Sequence, residues 1–76
     1  MEQKIKQDLS IGPNLRRLRE DHGFSQEKLC AELQRNSYDI GRSTYQKYEN
    51  GKLNIPVRLL RKLKKLYNCT YEDLLD

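Results

Sequence analysis

A chain of 76 residues, with 15 Lys and Arg against 11 Asp and Glu for a net charge of +4, has room for one small hydrophobic core and no second. No apolar run nears the roughly 18 residues of a membrane span, and no signal-peptide pattern opens the chain, so a cytoplasmic protein away from membranes is expected. One His and two distant cysteines, Cys30 and Cys69, make neither a metal set nor a catalytic constellation, and the cysteines read as ordinary reduced thiols in half-buried places.

In chain order, "MEQKIKQDL" (residues 1–9) is polar and reads as a flexible arm ahead of a domain over 10–76, although Ile5 and Leu9 at i, i+4 can add a turn. "IGPNLRRLREDHG" opens with Gly12-Pro13, suited to a first helical turn, and carries Ile11, Leu15 and Leu18 on one stripe. Gly23 stops this first helix, and His22 is placed where a protonated side chain favours a helix C-terminus. In "FSQEKLCAELQRN", Ser25 is the N-cap, Glu27 suits the positive helix end, and Leu29, Cys30 and Leu33 form the apolar face. Phe24, just ahead of the cap, can staple the start of that helix.

"SYDI" is a loop whose Tyr38 stands either as a phosphate contact or as a plain surface side chain. A third, very short helix over 42–50 follows Gly41 as cap and ends at Gly51, with Tyr45 and Tyr48 three apart on a core-facing side. "KLNI" leads to Pro56, read as an N1 proline, and then to a fourth helix, "VRLLRKLKKLYN". Its inner stripe is Val57, Leu60, Leu63 (with Leu59) and Leu66-Tyr67. Its charge run is read as a solvated face, with Lys64 and Lys65 complementing the helix dipole. Thr70 caps "YEDLL", with Asp73 at the N3 place of a capping box. The fold class is all-α, five helices in a compact bundle.

Catalysis finds no support, because a nucleophile needs a base and an orienting group, and a phosphate loop needs clustered glycines. No enzyme, cofactor or small-molecule ligand is expected. The moderate positive charge favours nucleic acid or an acidic protein as partner. The third helix points further. It presents Arg42, Ser43, Gln46 and Lys47 on its outer side, and Arg or Lys can bridge guanine O6 and N7 as Gln can adenine N6 and N7. The Ser25-Gln26 start of the second helix offers an amide and unpaired backbone N–H groups, a place for a phosphate. Lys52, Asn54 and Arg58 can clasp a further stretch of phosphate backbone, so positioning and base reading divide between different side chains.

These residues carry a resemblance. "IGPNLRRLREDHGFSQEKL", "RSTYQKYENGK" and "YNCTYEDLL" together resemble the phage-repressor or Cro-type (XRE) helix-turn-helix family over roughly residues 10 to 75. The resemblance implies a lambda-repressor-like five-helix domain that binds double-stranded DNA in transcriptional regulation, as a homodimer on two half-sites. It places Arg42, Ser43, Gln46 and Lys47 at base-reading positions and Gln26, Asn50 and Lys52 on phosphates. It also implies an internal ion pair between Arg19 and Glu49, so that the one carboxylate of the third helix faces inward. The family's helix-turn-helix has a turn of three or four residues. Here "QRNSYDI" is about five residues too long, unless the second helix runs to about Asn36 and leaves Ser37–Ile40 as a longer loop with Ile40 plugging the core. The competing function is a protein-interaction module of the same fold, an antitoxin-like or coactivator-like adaptor.

Overall fold

In the computed structural model, which describes residues 11–76, five α-helices follow one another among those residues: α1 Ile11–Asp21, α2 Gln26–Arg35, α3 Arg42–Glu49, α4 Val57–Tyr67 and α5 Tyr71–Leu75. The arm expected over residues 1–9 lies outside the described residues. α1 packs on both α3 and α5, α2 on α3, and α4 on α5, which closes the helices around one core. Leu15, Leu29, Leu33, Tyr45, Ile55, Leu59, Leu63 and Leu74 are completely enclosed there.

The helix starts follow from their caps. The Ser25 hydroxyl accepts the Lys28 N–H at 3.1 Å. Thr70 and Asp73 form a reciprocal capping box, each side chain accepting the other's backbone N–H at 3.1 and 3.0 Å. Gly41 is the N-cap of α3. Pro56 departs from the expected N1 place and is itself the N-cap of α4. Its ψ of 146° is extended, and its carbonyl already accepts the Leu59 and Leu60 N–H groups.

The helix ends share one device. After α1, the Phe24 N–H reaches the Arg19 carbonyl and the Gly23 N–H the Glu20 carbonyl, with Gly23 at φ 74°. Gly51 repeats this after α3, with Lys52 N–H on the Lys47 carbonyl. These are Schellman closures, which need a left-handed residue and so favour glycine. α2 and α4 close the same way, but on Ser37 (φ 66°) and Asn68 (φ 51°), residues that carry a Cβ.

The connection between α2 and α3 runs over 36–41, longer than the family's usual turn, as the extended second helix implied. It is tied down at three points. Ile40 is buried, the Gln34 amide donates to the Ile40 carbonyl at 2.9 Å, and Lys62 of α4 donates to the Asn36 carbonyl at 2.6 Å. On the inner stripe expected for α4, Leu59, Leu60, Leu63 and Tyr67 are buried but Val57 and Leu66 are half-buried, and Ile55, in the connector before α4, is enclosed as well. Leu74 of α5 is fully buried and closes the core. Asn14, buried in α1, donates to the Leu74 carbonyl at 3.3 Å and so anchors α5.

Candidate nucleic-acid interface

α3 is eight residues long and divides by periodicity into two faces. Tyr45 and Tyr48 are buried, while Arg42, Ser43, Gln46 and Lys47 are exposed. The helix's one carboxylate turns inward. Glu49 meets Arg19 of α1 through two hydrogen bonds, Nε to Oε2 at 2.7 Å and Nη2 to Oε1 at 3.2 Å, with the two side chains only 5% and 10% exposed respectively. Arg19 Nη1 also donates to the Phe24 carbonyl at 2.8 Å, so one guanidinium joins α3 to the α1–α2 turn. The outer face of α3 therefore carries cations and amides without a carboxylate of its own.

Burial alone would push the Glu49 carboxyl up. The Arg19 guanidinium outweighs it, helped by the neighbouring Tyr45 hydroxyl and the Gln26 amide, and holds the group below its ordinary value. The hydrogen bond to Glu49 in turn raises Arg19 further. Burial, with the Glu49 charge beside it, pushes the Tyr45 phenol up. Its hydroxyl lies next to that carboxylate without completing a hydrogen bond to it.

Gln26, expected on a phosphate, donates one amide N–H to Glu49 Oε1 at 3.3 Å. Its second N–H remains for an outside acceptor. Two surface depressions flank it. One of about 310 Å³ brings Gln26 together with Arg42 and the Ser25 cap. The other, about 430 Å³, places Gln26 beside Gln46 and Asn50. Arg42 Nη1 meets Glu27 Oε1 at 3.3 Å, an exposed pair that sets the arginine across the starts of α2 and α3. Lys52 and Asn54 follow in the exposed loop after α3.

Arg58 does not join this group. Its guanidinium lies over the Tyr38 ring, 5.4 Å from the centroid, and it lines a separate groove along α4. Tyr38 is accordingly neither a plain surface tyrosine nor part of the α3 face, but half-buried and packed against the core. Arg16, not singled out in the sequence, borders the same depression as Gln46 and Asn50. The signal was present. Arg16 stands one turn before Arg19 on α1, and a residue three places from one that reaches α3 must lie on the same side. It forms an exposed pair with Glu20 at 3.3 Å.

Gly12 sets how closely this face is assembled. A Cβ built there would overlap the backbone carbonyl of Glu49, so α1 and α3 approach backbone to backbone at that point. No helix among the described residues is long and apolar enough to cross a membrane.

Comparison with known proteins agrees with this architecture. A family model described as helix-turn-helix matches residues 15–74, from the middle of α1 to the end of α5. Searches of curated proteins and of solved structures found no match. With the matched span covering most of the chain and all five helices in place, the chain belongs to the helix-turn-helix family of phage-repressor and Cro (XRE) type, a family of DNA-binding regulators.

Proposed function

We propose that this protein is a sequence-specific transcription regulator that inserts α3 into the major groove of double-stranded DNA. The observation that carries the reading is the division of α3. Both tyrosines and the carboxylate are turned into the domain, while Arg42, Ser43, Gln46 and Lys47 are exposed together. Arg42 and Gln46 then hydrogen-bond base edges, with Ser43 and Lys47 completing the row. Gln26, Asn50 and Lys52 hold phosphates beside it, and Asn54 extends that line. Arg58, directed to Tyr38, is left out of the proposed contact set.

A single helix of this length reads only a few base pairs, so two copies on adjacent half-sites are the expected operator-bound form. The test replaces Arg42 and Gln46 together with alanine. Site preference is expected to vanish with melting unchanged, since both side chains are exposed. Preference that survives would contradict the docking of α3.

A further inference from the structure

The longer α2–α3 connection also shapes a second surface, along α4. By carrying the chain past α4, it sets the Tyr38 ring against Arg58 and the Asn36 carbonyl against Lys62. At the far end of α4, Lys64 lies over the ring of Tyr71, 5.4 Å from its centroid. Between the two tyrosines runs a groove of about 350 Å³, whose remaining lining is Arg61 and Lys65. From Arg58 to Lys65 it extends about 10 Å along the helix, at 1.5 Å per residue.

Five of the chain's 15 Lys and Arg line this one groove, and among the described residues no carboxylate lines it. Like charges held this close repel one another, and a counter-charge set on exposed Arg61 and Lys65 relieves that repulsion. The floor matters as much. It is lined more by carbon than by polar atoms, from the tyrosine rings and the aliphatic stems of the lysines and arginines. Tyr71 is 41% exposed, one of two large apolar side chains so placed among the described residues.

We propose that this groove is a docking site for an acidic peptide segment of a partner protein, one that carries aliphatic or aromatic side chains among its carboxylates. The carboxylates meet Arg61, Lys62 and Lys65, and the apolar side chains cover the carbon floor between Tyr38 and Tyr71. A sugar–phosphate backbone would satisfy the cations but leave the floor uncovered. The charge run of α4 is thus a recognition surface as well as a solvated face. The proposal stands apart from the DNA reading, since none of the α3 residues lines the groove.

The probe is a fluorescent synthetic peptide of about a dozen residues, rich in Asp and Glu with two leucines, beside a control of equal charge with serine for leucine. Binding to the whole protein is followed by anisotropy, and the contact is mapped by amide chemical shifts. A double variant, Arg61→Gln with Lys65→Gln, is compared with Lys28→Gln and Arg35→Gln on α2, which remove the same charge elsewhere. The leucine peptide is expected to bind more tightly than the serine control and to perturb Tyr38 and Tyr71. The groove variant should weaken it about tenfold and the α2 variant by about twofold or less. Equal binding of both peptides, equal loss in both variants, or no binding would overturn the proposal. So would a groove variant that loses more affinity for a random-sequence duplex than the α2 variant does, which would make the groove a nucleic-acid surface.

Discussion

Arg19 and Glu49 are joined by paired hydrogen bonds of 2.7 and 3.2 Å across the packing of α1 on α3, nearly closed to solvent. The pair fixes the end of the helix proposed to read DNA. Net stability from such a pair is small, because desolvating both ions offsets their attraction. Removing one partner is different, since it strands a buried charge. Arg19→Met is therefore expected to cost about 3–5 kcal/mol in urea unfolding, and Arg19→Met with Glu49→Leu to recover a large part of that loss. A double variant as unstable as the single one would contradict this.

The same carboxylate makes stability depend on acid. Glu49 is held below its ordinary value of 4.5, so its contribution is complete above that pH and is lost as pH falls through the lower folded value. The urea midpoint should decline below about pH 4.5, and Glu49→Gln, less stable at neutral pH, should show a shallower decline. Some slope should persist in the variant, because the Thr70 backbone N–H also holds Asp73 low. An unchanged slope would remove Glu49 as the group responsible.

Gly12→Ala places a methyl against the Glu49 carbonyl and forces α1 away from α3. The expected cost is about 1–3 kcal/mol, the range for overpacking against backbone that cannot yield. DNA affinity should fall with it under conditions where the variant remains folded, since α3 is tilted relative to Gln26. A variant as stable as the parent would show that the two helices can separate freely.

Ser37→Gly should stabilise the protein. Ser37 closes α2 at φ 66°, where an L side chain costs about 1 kcal/mol, and glycine removes that cost while adding some freedom to the unfolded chain. A rise in thermal midpoint of a few degrees is expected, about 0.5 kcal/mol. A fall would mean that the Ser37 side chain itself holds the loop.

The parts legible in the sequence were those governed by local rules. Ser25, Thr70 and Asp73 announce helix starts, Gly23 and Gly51 announce ends, and the three-residue spacing of Tyr45 and Tyr48 assigns the inner side of α3. The closures at Ser37 and Asn68 were not legible, because residues with a Cβ enter the left-handed region only when tertiary structure requires it. Nor was the burial of Ile55, since a lone apolar residue in a connector has no period to reveal it.

Within the candidate site, the exposure of Arg42, Ser43, Gln46 and Lys47 follows directly from helical spacing. The grouping of Arg58 does not. Proximity in sequence to Lys52 and Asn54 suggested a shared phosphate clamp, but the path of the 36–41 loop brings Tyr38 beneath Arg58 and assigns it to the α4 groove. Loop paths depend on contacts distant in sequence, here Lys62 to Asn36, that no local pattern encodes.

Selection of bound duplexes from a random library, with the purified protein at near-physiological salt, decides whether α3 reads bases. The expected result is enrichment of an inverted repeat, with half-sites about one helical turn apart or a multiple of it, as two α3 helices on one face of DNA require. Retention of duplexes without enrichment of any sequence would contradict α3 as a base-reading helix.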